Sequence, residues 1–503
     1  MTGKATERGP FDLPWPGLLG LGVFLLTLWA QPGALVGVFY DDGIYVTGAK
    51  ALAEGQGYRN IHLPGAPPMV HYPVLYPAML SLLWRLWPAF PANVTLFALG
   101  DAAALGAAAW IMAVHGRRIP VPAPGRYLAL ALGFMAFPLL ALVGVRFAEP
   151  LFLVLVAGAV ALADRESADP KPFLAAGALA GLAALSRTIG ICAVAAIPLA
   201  LWLRGRRRSA LLALAAAVVV LTPWVIWVAL RAGDIDPRLT NYTAYGQVVG
   251  QTGPGPLLQG LLTLRALWPL PELVLPRMEP WGFWPLAVAI MGLTAWGAGG
   301  SLSRAPALVA TLACYLLIST IWPFTPHRFV WIIVPWLGLW LAVGLLALWR
   351  LGRAARSAAV ALTLVMAAGY LPLQALSLGE RRFARPAQRM SQSLGVLAAS
   401  AGAELPADAV IASEDEALLY LYAGRRSVPS HLFRWQGIGT APLSPEETIR
   451  YWCDAGVTHL ALTGPGGPVG AIAAELAQRS DTVVTPLFRI TNGPGLYRFR
   501  CPG

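Results

Sequence analysis

Two adjacent carboxylates, Asp41 and Asp42, follow the first apolar segment of the chain, in FYDDGIYVTGAKALAEGQGYR. Neighbouring anions repel each other, so in a partly desolvated cleft one member of the pair should have a raised pKa. A carboxylate of that kind suits a general base that takes a proton from a hydroxyl group. The structural alternative is a solvated turn helped by Gly43, because acidic pairs are common where helices begin.

Other ionisable residues stand at the ends of later apolar runs. They are Arg146 and Glu149 in RFAEPLF, Arg187 in LSRTIG, Arg265 in LTLRALW, and His327 with Arg328 in PFTPHRFV. Charged groups in apolar surroundings are costly unless they are paired or face a polar cavity, so several that converge predict a cleft for an anion. Each of them taken singly also fits an ordinary charge at the edge of an apolar segment.

Several widespread catalytic motifs are missing from the sequence. It contains no HExxH, no glycine-rich phosphate loop ahead of Lys and Ser or Thr, no GxSxG and no CxxC. Zinc hydrolysis, ATP use and a serine nucleophile elbow therefore have no support in the motifs. On this interpretation no cofactor is obligatory, and a divalent metal is not indicated.

The composition is that of an integral membrane protein. Of the 503 residues, 57% are hydrophobic and 12% charged, and the mean hydropathy is +0.61. Several apolar runs reach about 20 residues, the length with which a helix crosses roughly 30 Å of hydrocarbon. The net charge of +12 comes from Lys and Arg residues that lie mainly in short loops between these runs. The placement of these positive charges therefore indicates the orientation of the helices in the membrane and not nucleic-acid binding.

Eleven apolar runs predict about eleven membrane-spanning helices. They cover residues 17–38, 92–114, 127–145, 148–163, 173–186, 188–203, 209–230, 281–300, 305–322, 329–349 and 357–377. The stretch 173–203 could be one long helix, but a hairpin that turns at Arg187 puts the basic clusters at 117–126 and 204–208 on the same, cytoplasmic side. The N-terminus is then cytoplasmic, and the chain after residue 378 lies outside.

Three larger pieces are predicted on the external face: the first loop at 39–91, the loop at 231–280, and a C-terminal tail. We divide the chain into a membrane domain, 1–379, and an external domain, 380–503. In the tail, DAVIAS, VTHLALTG, DTVVTPLFRI and LYRFR are typical of strands, and EALLYLYAG and EETIRYWCDAG of helices. The predicted fold class is therefore an all-α polytopic membrane protein with a small C-terminal α/β domain.

The four cysteines fall into two groups. Cys192 and Cys314 lie inside apolar runs, where we expect them to pack. Cys453 and Cys501 share the external domain, whose surroundings are usually oxidising. A disulfide between them and two separate thiols both remain open, because sequence does not fix the distance between them.

Further segments have two interpretations each. The stretch HYPVLYPAMLSLLWRLWPAF, with His71, Tyr72 and Tyr76, predicts a helix in the membrane interface that shapes an acceptor or lipid groove, or else a plain surface anchor. The loop at 254–276 could cradle a lipid tail or merely pack on the helices. Asp101, in the middle of a span, could serve a proton relay or bond to a neighbouring helix.

Taken together, these segments resemble the GT-C membrane glycosyltransferases related to bacterial family 39 enzymes, protein O-mannosyltransferases and lipid A aminoarabinose transferases. The resemblance lies in the acidic pair after a first helix, in GIYVTGAKALAEGQGYR and HYPVLYPAMLSLLWRLW, in RFAEPLF, ALSRTIG and PHRFVWIIVP, and in a short external α/β tail. It covers nearly the whole chain and is specific for the superfamily, not for the substrate.

The resemblance implies the GT-C fold, a sugar donor linked to polyprenyl phosphate, and an external acceptor that is a glycan, a lipid or a protein. Asp41 matches the family's base, which Asp42 would assist or orient. Glu149 matches the second acidic position, and Arg328 a basic residue that could hold the donor phosphate. Where the aminoarabinose transferases carry Glu-Lys-Pro-Pro and a nearby arginine, this chain has His71, Tyr72, Pro73 and Val74, and Ile44. These departures weigh against aminoarabinose as the sugar.

The sequence hypothesis is therefore an inverting sugar transfer in the cell (inner) membrane, with Asp41 as general base and Arg328, helped by Arg265 or Arg187, at the leaving phosphate. The alternative is a transporter or flippase of lipid-linked saccharides, which Asp101 and the absent nucleotide motifs favour and the absence of internal repeats disfavours. In a third hypothesis the external domain alone holds a ligand, as a binding or sensor protein.

Overall fold

The computed structural model describes residues 14–247, 255–322, 325–436, 439–463, 484–489 and 493–502. The N-terminal segment 1–13, predicted to be cytoplasmic, lies outside these ranges, as do both ends of the predicted strand DTVVTPLFRI. The helices, in chain order, are α1 (Trp15–Trp29), α2 (Asp41–Ala53), α3 (Leu75–Leu86), α4 (Val94–His115), α5 (Ala123–Met135), α6 (Phe137–Val143), α7 (Glu149–Ala163), α8 (Lys171–Ser186), α9 (Ile191–Leu203), α10 (Arg207–Arg231), α11 (Gly255–Thr263), α12 (Pro269–Val274), α13 (Pro280–Ser301), α14 (Pro306–Ile321), α15 (His327–Arg350), α16 (Arg353–Gly379), α17 (Arg385–Glu404), α18 (Glu416–Ala423) and α19 (Pro445–Asp454).

Each of the eleven predicted apolar runs contains a helix, but the first, predicted to reach residue 38, ends at Trp29. Within the described ranges, α4, α10, α13, α15 and α16 are long and apolar enough to cross a membrane, and α5 with α6 forms a sixth span bent by 56°. Pro138 at the start of α6 accounts for the bend, because proline lacks an amide hydrogen and disfavours helix in the residues just before it. The other five runs form the shorter apolar helices α1, α7, α8, α9 and α14.

The chain reverses at Arg187, as the charge distribution predicts. Arg187 has an extended backbone between α8 and α9. Arg206, after α9, donates a hydrogen bond of 2.8 Å from Nη1 to the carbonyl of Arg165, before α8. The two outer ends of the pair therefore lie together, which makes α8 and α9 a hairpin and not one long helix.

Several short loops contact one another at one end of the helix bundle. His115, at the end of α4, lies 3.0 Å from Asp164, which follows α7. Asp164 also accepts a bond of 2.9 Å from the amide of Ala307, at the start of α14. Arg204, after α9, donates to the carbonyl of Ser303, after α13. Residues that begin α7 and α15 or join α8 to α9 therefore lie at the opposite end.

The C-terminal part contains the predicted sheet. The strands are β1 (Val410–Ser413), β2 (Arg426–Pro429), β3 (Phe433–Trp435), β4 (Thr440–Pro442), β5 (His459–Leu462), β6 (Val484–Arg489) and β7 (Gly495–Phe499). Five of them form a mixed sheet in the order β2-β1-β5-β7-β6, and β3 pairs with β4. The capping box at the start of α19 is present, with Ser444 and Glu447 bonded reciprocally. Cys453 and Cys501 form a disulfide with Cα atoms 5.7 Å apart, which joins α19 to the chain after β7.

The C-terminal part packs in two hydrophobic clusters. One is formed almost entirely within the tail, by residues such as Leu397, Ile411 and Leu418. In the other, Ile44 and Tyr45 of α2 pack with Tyr242, Trp452 and Leu460, which come from the second loop, α19 and β5. The α/β part is therefore docked on the segment that follows α1.

Candidate active site at one end of the bundle

Asp41 is the first residue of α2 and receives two short hydrogen bonds. The hydroxyl of Tyr72 donates to Oδ1 at 2.6 Å, and Nη1 of Arg328 donates to Oδ2 at 2.6 Å. The Asp41 side chain is 23% exposed. Both oxygens are therefore held in place while the carboxylate still reaches open space.

Arg328 connects Asp41 to a buried ion cluster. Its Nε donates to Oε1 of Glu149 at 2.6 Å, and Arg187 forms an ion pair with the same oxygen. The three residues come from the starts of α15 and α7 and from the α8–α9 turn, so the shared end of the bundle brings them together. Glu149 is 1% exposed, and its place in the first turn of α7 also favours its negative charge. With Asp41, the cluster contains two anions and two cations.

A cavity of about 100 Å³ lies against this cluster. Asp41 and Arg187 line it, together with the aromatic residues Tyr45, Tyr72, Tyr245, Trp322 and Phe329 and the apolar residues Ile189, Ile191 and Ile318. Among the described residues, Nη2 of Arg328 and Oε2 of Glu149 have no hydrogen-bond partner. Buried donors are usually satisfied, but Arg328 does not itself line the cavity, whereas Arg187 does. Arg187 is therefore the cation of the cluster that an anionic ligand in the cavity would meet.

His71 and Tyr245 close one side of this site. Nδ1 of His71 donates to the carbonyl of Thr243 at 2.6 Å, and its ring stacks on Tyr245 with centroids 4.2 Å apart. Burial lowers the pKa of His71 below its ordinary value, so the ring is neutral at neutral pH. His71 thus positions the loop that follows α10 beside Tyr72, which binds Asp41.

Asp42 has a different environment from its neighbour. Its two oxygens accept hydrogen bonds from the amides of Gly37, at 2.7 Å, and Phe39, at 3.1 Å. Burial raises its pKa to about 6, against the opposing effect of these amides. Asp42 therefore holds the turn that precedes α2, and the raised pKa expected for one member of the pair belongs to it.

Two other predicted site residues lie in a separate polar cluster. Nη1 of Arg146 donates to Asp101 at 2.7 Å, and the hydroxyl of Tyr76 donates to the same carboxylate at 3.1 Å. Gln31 contacts Arg146 as well. Asp101 is fully buried in α4 and needs such partners to be tolerated in apolar surroundings. Arg146 and Tyr76 therefore stay away from the Asp41 cluster, and Asp101 has the helix-to-helix bonds of the structural alternative.

His327 and Arg265 are also placed apart from the cluster. Nε2 of His327 lies 2.7 Å from the carboxylate of Glu272, on a side chain that is 40% exposed. Successive helical residues point about 100° apart, so His327 cannot follow Arg328 into the site. Nε of Arg265 donates to the carbonyl of Thr320 at 2.9 Å, near the end of α14.

Four aromatic residues of the site were not predicted from the sequence. Tyr45, Tyr245, Trp322 and Phe329 line the cavity, and none of them carries a charge that would mark it as a site residue. Tyr45 lies one helical turn after Asp41, which is a signal that could have identified it. No group of three or more His, Cys, Asp or Glu side chains in the described part of the chain is arranged to hold a metal ion.

Comparisons with known proteins give matches to solved structures. No family model and no curated protein sequence matches the chain. ArnT from Cupriavidus metallidurans, in a crystal structure bound to undecaprenyl phosphate, superimposes with a TM-score of 0.56 at 15% identity, over 96% of each chain. The oligosaccharyltransferase AglB from Archaeoglobus fulgidus, in complex with an inhibitory peptide and a dolichol-phosphate, gives a TM-score of 0.51 at 12% identity, over 98% of this chain and 75% of that one.

A third similar structure is the arabinofuranosyltransferase AftD from Mycobacteria. Its TM-score is 0.50 at 14% identity, over 96% of this chain and 41% of that one. At such identities the likeness shows the fold. This chain therefore has the GT-C fold of an integral membrane protein, as the sequence resemblance implies.

Proposed function

We propose that this protein is a membrane glycosyltransferase that moves a sugar from a polyprenyl-phosphate donor to an acceptor hydroxyl on the external face. The main observation in support is the Asp41–Arg328–Glu149–Arg187 cluster beside a cavity at one end of the bundle. It combines a partly exposed carboxylate with guanidinium groups, which is what proton removal and phosphate binding require. The solved structures with this fold include one bound to undecaprenyl phosphate and one in complex with a dolichol-phosphate.

The proposed reaction is a single inverting displacement. Asp41 takes the proton of the acceptor hydroxyl, and the oxygen forms a bond to the anomeric carbon of the donor sugar. The bond from that carbon to the phosphate oxygen breaks, and its electron pair leaves with polyprenyl phosphate. Arg328 and Arg187 stabilise the negative charge that develops there, and preorganised donors of this kind are an effective source of catalysis.

The distribution of arginines favours a particular orientation of the protein in the membrane. We propose that the N-terminus is cytoplasmic, that the membrane domain 1–379 carries the reaction, and that the domain 380–503 lies outside the cytoplasm. The short loops that meet at the opposite end contain Arg117, Arg118, Arg204, Arg206 and Arg207, and cytoplasmic loops are enriched in such residues. A donor and acceptor would therefore meet at the external membrane surface.

The two alternative hypotheses have less support. The flippase hypothesis used Asp101 as part of a pathway, and this carboxylate is bound to Arg146 and Tyr76. The sensor hypothesis placed the ligand in the external domain alone, whereas the cluster comes from α2, α7, α15 and the α8–α9 turn. We therefore propose a transferase.

The first test is donor turnover in lipid. Wild-type protein and Asp41→Asn are given a panel of polyprenyl-phosphate sugars with acceptor extracts, and free polyprenyl phosphate is measured. Because a general base contributes about 10²- to 10⁴-fold, we expect the substitution to lower the turnover rate by that factor while folding stays intact. Glu272→Gln, which alters an exposed acid away from the cluster, is the control and should keep wild-type turnover. A donor that is moved between leaflets equally by all three proteins, with none consumed, would establish the flippase instead.

A further inference from the structure

The turn that leads into Asp41 has an unusual backbone. Tyr40 has φ +65° and ψ −72°, although it is not a glycine, and Gly37 has φ +100°. A residue with a Cβ atom adopts positive φ only when its surroundings hold it there. Asp41 immediately follows, so whatever holds Tyr40 also fixes the start of α2 and the direction of the Asp41 side chain.

The external domain binds this turn directly. The amide of Val36 donates to the hydroxyl of Tyr422 at 3.0 Å, and the amide of Leu35 donates to Oγ of Ser391 at 2.8 Å. These two amides precede the turn and would otherwise have to be satisfied by water. Two amides between α1 and α2 are thus satisfied by side chains 356 and 386 residues later in the sequence.

Helix α18 also packs against the turn without a gap. A Cβ atom on Gly37 would lie 2.7 Å from Cβ of Leu418, and one on Gly43 would lie 2.9 Å from Cβ of Ala417. Both distances are far below van der Waals contact, so only glycine fits at these two positions while α18 stays in place. The close contact makes the position of α2 depend on the position of α18.

A buried hydrogen-bonded chain reaches the strained residue from the same helix. The hydroxyl of Tyr242 donates to Oε1 of Glu416 at 2.6 Å, and Nε2 of His62 lies 2.8 Å from that hydroxyl. Since the tyrosine proton goes to Glu416, His62 is the donor to the tyrosine oxygen. The ring of Tyr40 meets the Tyr242 ring edge-on, with centroids 6.5 Å apart. Glu416 therefore fixes Tyr242, and Tyr242 forms one wall for Tyr40.

We propose that Glu416 and Tyr422 of the external domain are positioning residues for Asp41, and act through Tyr242 and the turn at 35–40. This inference rests on the proposed role of Asp41 as base. Neither residue lines the cavity at Asp41. They hold the backbone that delivers Asp41 to Tyr72 and Arg328, both at 2.6 Å, and small displacements of a reacting group are costly to catalysis.

The test compares three variants on α18. Glu416→Ala removes the acceptor of Tyr242, Glu416→Gln keeps an acceptor of similar shape, and Tyr422→Phe removes the acceptor of the Val36 amide. Tyr420→Phe, on the same helix with a half-buried ring, is the matched control.

We expect kcat to fall by about 10- to 100-fold in Glu416→Ala and by about 10-fold in Tyr422→Phe, because each disturbs the approach geometry. The donor KM should stay within about twofold of wild type, since Arg328 and Arg187 are unchanged. Glu416→Gln should recover most of kcat, and Tyr420→Phe should equal wild type.

A second measurement does not depend on turnover. Amide hydrogen exchange of the segment 35–43, followed by mass spectrometry in lipid, should be at least about 10-fold faster in Glu416→Ala and Tyr422→Phe than in Tyr420→Phe. Equal exchange in all variants would overturn the inference, as would a loss of activity that appears only as a raised donor KM or a smaller folded fraction. If exchange increases as expected while wild-type protein consumes no donor, the positioning contacts stand and the proposed function has failed.

Discussion

Arg328 is the residue on which the candidate site depends most. Its guanidinium binds Asp41 and Glu149 through two different nitrogens and lies over the ring of Phe147, 3.7 Å from the centroid. The third nitrogen, Nη2, is buried without a hydrogen-bond partner. Only the planar, forked shape of arginine allows three such directions at once, since lysine offers a single charged nitrogen.

Arg328→Lys therefore keeps the positive charge but removes the forked set of hydrogen-bond donors. Hydrogen bonds to charged groups contribute about 1.5–3 kcal/mol, so we expect kcat/KM for the donor to fall by about 10- to 100-fold. The measurement is initial-rate kinetics of polyprenyl phosphate release in lipid. The neighbouring His327→Gln, whose side chain pairs with Glu272, should change kcat/KM by less than about twofold. Equal effects of the two substitutions on kcat/KM would show that Arg328 has no specific role in donor binding or transfer.

At the scale of the elements, the sequence predicted where each helix ends better than the direction in which its side chains point. The apolar runs locate helix ends, so Asp41, Glu149, Arg187 and Arg328 could all be assigned to one face of the membrane. The runs do not say which way a side chain points around its helix, because helices that are apolar on all sides show no amphipathic period. For that reason Arg146 and His327 were grouped with the site, although they point into other clusters, and only Tyr72 among the cavity aromatics was named.

The close packing of the bundle follows from small residues, which sequence inspection also passed over. A Cβ atom on Gly177 of α8 would lie 2.0 Å from the carbonyl oxygen of Ala213 of α10, and one on Gly297 of α13 would lie 1.8 Å from that of Trp340 of α15. Membrane helices approach this closely where small residues face each other. These two contacts hold the helix pairs whose ends carry Arg187 and Arg328.

Gly297→Ala and Gly299→Ala test this packing within one helix. The first places a methyl group against the Trp340 carbonyl, while nothing lies within 4 Å of a Cβ on Gly299. Overpacking costs about 1–3 kcal/mol, so Gly297→Ala should unfold at a lower temperature than wild type. Gly299→Ala should melt at the same or a slightly higher temperature, because alanine is the better helix former. Thermal unfolding in lipid nanodiscs is the measurement, and identical melting of both variants would contradict the contact.

At the scale of the whole molecule, the first loop, the second loop and the C-terminal domain pack together as one unit that contains buried acids. Burial raises the pKa of Glu416 to about 7, and burial together with the neighbouring Glu416 and Glu414 raises that of Asp415 to about 8. Each folded-state value lies above the ordinary carboxyl value, so the folded protein binds more protons than the unfolded chain between the two. Stability associated with these groups is fully present below the ordinary carboxyl pKa of about 4 and is lost progressively as the pH rises from there to about 7 to 8.

The docking of the C-terminal domain should therefore weaken towards pH 8. We expect the melting temperature of this unit to fall as the pH is raised from about 7 to 8.5, a window that lies above the ordinary histidine pKa of about 6.5. Glu416→Gln should reduce the slope, because its contribution no longer titrates. Glu404→Gln, at an exposed acid of the same domain, should leave the slope as in wild type. A melting temperature that is constant or rises across this range in wild type would contradict the assignment.

The wall of the candidate cavity has a kinetic consequence. Ile189, Ile191 and Ile318 line it, and Ile191 is 45% exposed on the apolar helix α9, so we expect the proposed lipid-linked donor to reach the cavity from the bilayer. A donor that enters from there is diluted by other lipids and not by the water volume. Its saturation would follow its mole fraction in the bilayer, and adding inert phospholipid at constant bulk concentration would slow the reaction. An acceptor that arrives from water would show no such surface dilution. The effect of added phospholipid would therefore distinguish donor from acceptor before the chemical structure of either substrate is known.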